Sequence, residues 1–313
     1  MISTRRNLIL GAGAGLALAG CDTPSRPGAR DVLAAGQPAA LLIWALARDR
    51  LLGWPRKPGA DALRALAPGA AALPQLGALT TGGAPSSLEA LAALHPRLIL
   101  DYGDVGDEHQ ALADRLKGRL GVEWRLIDGA LTRTPQAIRQ AGALLGVPDK
   151  AEALAGRATA ILADWGARRD GPSFYYARGG DGLETAFHGA LATEVLEGAG
   201  WTNVAVGARD IGRVSREQVV AWNPHTLVTL DARFARAIQH DPVWRRRPDG
   251  ATRPLLLIPD SPFGWIDRPP SVNRLLGCAW LADPEGSILG LAELTRALYG
   301  MSATETARPR WIA

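Results

Sequence analysis

Side chains that could hold a small ligand follow the predicted strands of this sequence. The first half offers Trp54, Arg56, Thr80, Thr81 and Tyr102, and the second half offers Arg178, Glu184, His188, Trp265 and Arg274. Aromatic rings bind apolar groups and cations, guanidinium groups pair with anions, and hydroxyls exchange hydrogen bonds. The chain contains no Gly-X-Ser-X-Gly nucleophile elbow and no His-Glu-X-X-His zinc motif. We therefore expect a binding site, no enzyme activity and no resident cofactor.

Histidine and cysteine are too few and too scattered to predict a metal centre. The histidines are His95, His109, His188, His225 and His240, and the cysteines are Cys21 and Cys278. Two cysteines can build neither an iron–sulfur cluster nor a cysteine-rich zinc site. Cys278 lies in the apolar run 275–280, which indicates a small buried core residue. We expect a ligand that arrives as a pre-formed complex, and His188 is the histidine that could contact it.

Short apolar runs alternate with helical segments in both halves of the chain. Strands are predicted at 32–35, 51–54, 98–100, 123–127, 173–177, 203–205 and 255–258. The alternation predicts an α/β fold with two lobes, each a parallel-rich sheet flanked by helices, joined by one long helix with a ligand cleft between them. The boundaries are 31–133 for the N-terminal lobe, 134–170 for the linker helices and 171–313 for the C-terminal lobe. Ligands bind beyond the carboxyl ends of such strands, where the ten polar and aromatic residues fall.

Two further segments support this organisation. The long helix is predicted from Asp149 to Ala167, with Asp149 as N-cap and Glu152 completing a capping box. The loop that begins at Pro259 combines Phe263 and Trp265 with Arg274, a composition that suits the mouth of a ligand cleft and equally suits a structural lid. The glycine-rich loop 178–182 lacks the ending of a phosphate-binding loop, so it indicates either a cleft-lining loop or a simple turn.

The overall composition is that of a globular protein with two units. The 313 residues are 47% hydrophobic and 21% charged, and the formal net charge is +4. No basic run is interleaved with aromatic residues, and the three arginines 245–247 are followed at once by Pro and Asp. We therefore expect no nucleic-acid partner.

One pattern occurs twice, in 87–101 and in 216–231. In each copy an acid, Glu89 or Glu217, opens an apolar helical run, and a proline follows seven residues later. A short strand then ends at an aspartate. The duplication predicts two similar lobes with related surfaces.

The first residues indicate export from the cytoplasm. Arg5 and Arg6 precede an apolar run that is too short for a stable membrane span, and the run ends at Leu18-Ala19-Gly20-Cys21. The start is similar to a twin-arginine export signal, and the end is similar to a bacterial lipobox. We assign 1–21 to the export signal and lipobox, with Cys21 as the lipidation site, and 22–30 to a flexible tether. An uncleaved N-terminal anchor is the alternative, and both place the folded part outside the cytoplasm. Asp22 after the cysteine resembles an inner-membrane retention signal.

These features together resemble the helical-backbone periplasmic binding proteins that serve ABC importers for iron–siderophores, haem, cobalamin and related metal complexes. The resemblance rests on the lipobox, the duplicated Glu-to-Pro spacing, the long helix and the closing segment from Pro262 to Ala282. It implies that Glu89 and Glu217 dock to arginines on the two permease subunits. The chain has Ala39-Ala40 where many relatives carry a Thr-Glu pair, so contacts in the first lobe depart from the family pattern.

The resemblance further implies a monomeric substrate-binding lipoprotein that delivers an iron–siderophore, haem or corrinoid complex to an ABC permease. The alternative is a molybdate- or tungstate-binding protein of the same fold, in which helix amino ends and hydroxyls hold the oxyanion. Aromatic contact and arginine pairing favour a metal complex, many of which are anionic.

Overall fold

The computed structural model describes residues 30–80, 87–167, 169, 171–207, 210–285, 288–300 and 308–312. The predicted positions Cys21 and Thr81 lie outside these residues. The first lobe runs through β1 (Val32–Ala34), α1 (Gln37–Ala47), α2 (Ala60–Arg64), α3 (Leu88–Ala92), β2 (Leu98–Gly103), α4 (Asp107–Leu120) and β3 (Glu123–Asp128). Its sheet has the order β1-β2-β3, and all neighbouring strands are parallel.

The segment 51–54, predicted as a strand, does not join this sheet as one. Leu51 forms a single bridge to Val32, and Trp54 forms a single bridge to Gln75. The chain turns away between them because Gly53 packs directly against Leu76 and the carbonyl oxygen of Pro74, where a Cβ atom would clash. This leaves Trp54 under the loop that follows.

A helical connector joins the lobes through α5 (Thr134–Leu144) and α6 (Pro148–Gly166). The predicted capping box at Asp149 is wrong, because Pro148 begins the helix and no side chain caps it. Proline suits the first helical turn, since its missing N–H has no helical partner there. Glu152 instead pairs with Arg139 of α5 through two hydrogen bonds of 2.7 and 2.8 Å. The pair fastens the two connector helices to each other.

The second lobe is larger and carries the remaining elements. They are β4 (Ser173–Ala177), β5 (Glu184–Ala186), α7 (Glu194–Glu197), β6 (Thr202–Asn203), β7 (Ile211–Arg213), α8 (Arg216–Trp222), β8 (Thr226–Thr229), α9 (Ala232–Ala237), α10 (Pro242–Arg245), β9 (Leu255–Leu257), α11 (Arg274–Ala282), α12 (Ile288–Tyr299) and β10 (Arg310–Ile312). The main sheet has the order β10-β9-β8-β4-β6, with β10 antiparallel to β9 and the other pairs parallel. β5 and β7 form a separate antiparallel pair.

The duplicated pattern has the same local structure in both lobes. Ser87 caps α3 and Ser215 caps α8, and each serine hydroxyl accepts the backbone N–H three residues later. Each helix leads into an interior strand of its sheet, β2 or β8. The residues before the two prolines, His95 and Asn223, both have left-handed backbones, with φ of 49° and 45°. The sequence repeat is therefore a structural repeat.

One apolar core cluster passes through both lobes and the connector, and each lobe has a further, smaller cluster of its own. The shared cluster includes Trp44 of α1, Ala155 of α6, Tyr176 of β4 and Cys278 of α11. Cys278 is buried, as predicted, and burial raises the pKa of its thiol, so the group is inert. Because α12 packs against both α1 and α11, it joins the lobes rather than belonging to the second alone. A shared core opposes independent movement of the lobes.

Within the described part of the chain, no helix combines the length and the apolar character needed to cross a membrane.

Candidate functional site: the cleft between the lobes

A cleft of about 850 Å³ lies between the lobes at the carboxyl ends of the strands. Gly36 and Gln37 follow β1, Asp101 to Gly103 end β2, and Arg178 follows β4. The loop after β9 completes the second wall with Asp260, Pro262, Phe263 and residues 267–270. This is the edge of a parallel sheet where ligands bind, because each strand there releases a loop towards the same space. The volume falls within the range typical of sites for organic ligands, about 300–1,000 Å³.

The first-lobe wall is polar and its rim is held by two glutamines. Its polar residues are Gln37, Arg56, Lys57, Thr80, Asp101, Tyr102, Asp104 and His109. The side-chain oxygen of Gln37 accepts the backbone N–H of Arg56 at 3.0 Å, and that of Gln75 accepts the N–H of Lys57 at 3.0 Å. These bonds fix the proline-containing rim segment 55–58 and place two exposed basic side chains at the cleft entrance.

Asp101 is the buried carboxyl group of this wall. Its side-chain oxygen accepts the backbone N–H of Tyr102 at 2.9 Å. Burial raises the pKa of Asp101 to about 6, and the Tyr102 N–H and the nearby His109 counteract part of that rise. His109 itself lies 3.4 Å from a carboxylate oxygen of Asp104. The hydroxyl of Tyr102 is buried and has no hydrogen-bond partner among the described residues.

The second-lobe wall is built around Asp267. One carboxylate oxygen accepts the Tyr176 hydroxyl at 3.1 Å and lies 3.2 Å from Nε of Arg178. The other oxygen accepts the backbone N–H of Arg268 at 2.7 Å. Burial raises the pKa of Tyr176 well above its usual range, so the phenol stays neutral and donates to the carboxylate. Asp267 thus orients Arg178 and the loop that carries Arg268.

Arg268 has a left-handed backbone, with φ of 63°, and its guanidinium lies 3.6 Å from Asp260. Such a backbone is uncommon for a residue with a side chain and is often retained at functional sites. Burial works against the charge on Arg268, but the anionic groups around it, among them Asp260 and Asp267, raise its pKa overall. Burial also raises the pKa of Asp260, while Arg268 counteracts the rise.

Four of the predicted ligand residues line the cleft: Arg56, Thr80, Tyr102 and Arg178. Thr81 lies outside the described residues. Trp54, Glu184, His188, Trp265 and Arg274 are not at the cleft wall.

Three of these five residues are buried in the core instead. Trp54 donates its indole N–H to the Ala70 carbonyl at 3.0 Å and packs against Phe263, which does line the cleft. Trp265 is buried, and Arg274 is completely buried behind the cleft. The position of an aromatic or basic residue near a strand end does not reveal on which side of the loop it packs.

The other two residues lie outside the cleft. Glu184 is in β5 and approaches Arg178 at 3.5 Å from behind the wall. The His188 side chain is 69% exposed and lies 3.3 Å from Glu197. In this structure Glu184 therefore interacts with Arg178, and His188 interacts with Glu197.

Several cleft residues were missed by the sequence reasoning, above all the carboxylates Asp104, Asp210, Asp260 and Asp267. Asp101 ends the duplicated pattern directly before Tyr102, which predicts that it lies at the edge of the cleft, and it does line the cleft. Asp260 and Asp267 belong to the loop after β9, for which aromatic and basic residues were named from the sequence. Among the described residues, no group of three or more His, Cys, Asp or Glu side chains could hold a metal ion.

The architecture defines a class of fold, that of the helical-backbone periplasmic binding proteins: two α/β lobes, a helical connector and a ligand-sized cleft between them. Solved structures with this fold include an ABC transporter solute-binding protein from Sulfurospirillum deleyianum DSM 6946, with a TM-score of 0.76, 22% identity and coverage of 88% of this chain and 92% of that chain. The molybdate periplasmic binding protein of Haemophilus influenzae matches with a TM-score of 0.67 and 18% identity, covering 90% and 94%. A periplasmic haem-binding protein from Roseiflexus sp. RS-1 matches with 0.56 and 20% identity, covering 87% and 99%.

No protein-family model and no curated protein matches the chain. At identities of this size, the likeness to solved structures establishes the fold.

Proposed function

We propose that this protein captures a small metal complex outside the cytoplasm and delivers it to an ABC importer. The observation that supports it most is the cleft itself, about 850 Å³ between two lobes that share one core. A cleft at the carboxyl ends of both sheets, without a protein-bound metal centre among the described residues, suits a ligand that brings its own metal. Binding proceeds without turnover.

The ligand class we favour is an iron–siderophore, haem or corrinoid complex. Proteins of this fold that bind haem are among the matching structures. The cleft is large enough for an organic ligand and offers the Phe263 ring, the Tyr102 phenol and prolines for contact with it. Tyr102, with its unpartnered hydroxyl, is the residue we assign to a hydrogen bond with the ligand.

A molybdate or tungstate oxyanion is the second candidate, favoured by the fold match to the molybdate-binding protein of H. influenzae. The cleft of this chain suits a small dianion poorly, since its wall carries five aspartates against four arginine and lysine side chains. Carboxylates repel an oxyanion and cannot donate hydrogen bonds to it when ionised.

Glu89 and Glu217 are the proposed contacts with the permease. Both are exposed second residues of serine-capped helices, α3 and α8, at equivalent places in the two lobes. The pKa of Glu217 is lowered by its own backbone N–H and by Ser215, so this carboxylate is charged at neutral pH. One exposed carboxylate at the equivalent place in each lobe suits a permease with two similar subunits.

The N-terminal segment completes the proposal. Residues 1–21 direct export, by the twin-arginine route, and lipid on Cys21 anchors the mature chain to the inner membrane. The tether 22–30 keeps the lobes close to the permease, and the protein acts there as a monomer. Globomycin, which blocks lipoprotein signal peptidase, tests this part: it should leave an unprocessed chain, and processing that continues unchanged would contradict lipidation at Cys21.

Native mass spectrometry with elemental analysis tests the ligand directly. The protein purified from its own periplasm should carry an added mass together with iron or cobalt, and denaturation should release both. Molybdenum or tungsten in place of these metals would establish the second candidate. A chain that carries no metal and binds none of the complexes tested below would refute the proposal.

Tryptophan emission separates binding from catalysis. Trp54 packs 6.4 Å from the cleft residue Phe263, centroid to centroid, so a ligand in the cleft should change its emission. A saturable change with unaltered ligand after recovery supports a binding protein. Chemical conversion of the recovered ligand would establish an enzyme instead.

A further inference from the structure

The charges in the cleft suggest which metal complexes enter it. The side chains at its wall comprise five carboxylates, Asp101, Asp104, Asp210, Asp260 and Asp267, and four permanent cations, Arg56, Lys57, Arg178 and Arg268. The described wall therefore has no excess of positive charge. The sequence by itself favoured a metal complex held by aromatic contact and arginine pairing, and many such complexes are anionic.

The two second-lobe arginines already interact with carboxylates. Arg178 has 12% of its side chain exposed and lies 3.2 Å from Asp267, which is 4% exposed. Arg268 lies 3.6 Å from Asp260. An anionic ligand that drew Arg178 away would leave the buried Asp267 carboxylate without its counter-charge, which is costly. Asp260 is 46% exposed and would lose less, and Nε and Nη1 of Arg178 have no hydrogen-bond partner among the described residues. The positive charge of each arginine is nevertheless balanced by a neighbouring carboxylate.

The first-lobe wall presents acceptors. Asp101 is buried at the end of β2, and its charge is opposed only in part by His109 and the Tyr102 N–H. The Tyr102 hydroxyl beside it has no partner among the described residues. A ligand that donates hydrogen bonds or brings positive charge to this wall would relieve the desolvation of Asp101. The basic residues Arg56 and Lys57 are exposed at the rim, where solvent screens their charge.

We infer that the cleft selects metal complexes that are neutral or positively charged over strongly anionic ones, with Asp101 and Asp260 as the specificity-determining carboxylates and Tyr102 as a hydrogen-bonding neighbour. This selection rests on the proposed function, since it presumes that a metal complex occupies the cleft. Its physical basis is that carboxylates on both walls of the cleft repel added negative charge.

Calorimetric titration of the full exported chain with complexes of graded charge tests the selection. The probes are cationic ferrioxamine B, neutral ferrichrome and cyanocobalamin, and the anionic group of ferric enterobactin, haemin and molybdate. We expect the tightest neutral or cationic probe to bind at least about tenfold more tightly than any anionic probe. Tightest binding of an anionic probe would overturn the selection while leaving the capture function intact. Failure of every probe to bind would refute the proposed function itself.

Variants identify the carboxylates responsible. Asp101→Asn and Asp260→Asn should each reduce severalfold the ratio between the affinity for neutral or cationic probes and the affinity for anionic probes. Each substitution removes one repulsive charge and keeps the side-chain shape. Asp164→Asn is the control, since Asp164 is exposed on α6 and lies outside the cleft. An unchanged preference in both cleft variants would contradict the inference, provided that circular dichroism shows native folding. Loss of preference in the control as well would contradict it too, because net charge alone would then explain the selection.

Discussion

Arg274, which is completely buried, and Glu194, which is 26% exposed, form an ion pair with 2.6 Å between the guanidinium Nη1 and the carboxylate Oε2. The arginine also donates to the Leu191 carbonyl of the second lobe and to the Gly129 carbonyl of the first lobe. Glu194 in turn accepts the backbone N–H of Leu131 at 3.0 Å. Since Leu191 lines the cleft, the pair fixes the two lobes to each other directly behind the cleft.

Arg274→Met should therefore lower the free energy of unfolding by about 3 kcal/mol, because it leaves the partly buried Glu194 and two carbonyl groups without their partner. Urea denaturation measures the change. Arg139→Met is a matched control: Arg139 makes two short hydrogen bonds to Glu152, but its side chain is 43% exposed, so its loss should matter far less. Equal losses in the two variants would show that the Arg274 pair does not hold the lobes.

Gly129→Ala should destabilise the floor of the cleft. A Cβ atom at this position would lie 2.6 Å from the Cα atom of Gly103, at the place where the Gly129 N–H donates to the Gly103 carbonyl at 2.7 Å. Backbone atoms cannot move aside as a side chain can. We therefore expect the free energy of unfolding, measured by thermal or urea denaturation, to fall by about 2–3 kcal/mol. The control Gly118→Ala lies in the interior of α4 with open space around it and should stabilise by about 0.5–1 kcal/mol. An unchanged free energy of unfolding for Gly129→Ala would show that the backbones at Gly103 and Gly129 are not in close contact.

Asp101→Asn should stabilise the protein at neutral pH. The pKa of Asp101 is raised from 3.8 to about 6, so the folded state binds the proton more tightly than the unfolded state. The stability that this proton contributes is complete below about pH 4 and is lost as the pH rises through about 6. The increase in the pKa of Asp101 corresponds to about 3 kcal/mol of folding free energy. Asparagine cannot ionise and can still accept the Tyr102 N–H through its side-chain oxygen.

Urea denaturation at pH 4 and pH 7.5 measures this effect. The variant should exceed the parent protein in stability at pH 7.5 and differ little from it at pH 4. The control Asp164→Asn, exposed on α6, should change neither value much. A variant that gains the same stability at both pH values would exclude ionisation of Asp101 as the cause.

Reversing the charges of Glu89 and Glu217 should abolish uptake and leave ligand affinity unchanged. Both carboxylates are exposed at helix amino ends away from the cleft wall, so Glu→Lys changes the surface without touching the ligand site. Uptake in cells that carry the cognate permease, together with titration of the purified variants, measures the two effects. Glu108→Lys is the control, because Glu108 is an exposed acid in the first turn of α4 but has no counterpart in the repeat. Loss of affinity in both single variants would refute the docking role.

The order of elements could be predicted from the sequence because their signals are local. Apolar periodicity, prolines and cap residues act within a few neighbouring residues, and α3 and α8 begin after the serines that precede Glu89 and Glu217. The segment 51–54 and the start of α6 were harder to predict. One depends on a close approach by residues 74–76, and the other depends on whether Pro148 or Asp149 opens the helix.

By itself, the sequence determined the two-lobed α/β fold and the duplicated helix–strand unit, since both follow from patterns read along the chain. Tertiary structure alone decided which polar side chains face the cleft. Arg274 contacts Gly129 across 145 residues and is buried, whereas Asp260 and Asp267 face the cleft from a loop in which Trp265 turns inward. Burial and charge pairing depend on neighbours that come from distant parts of the chain. The balance of carboxylates and guanidinium groups in the cleft therefore depends on the tertiary structure. The charge that we expect of the ligand depends on it too.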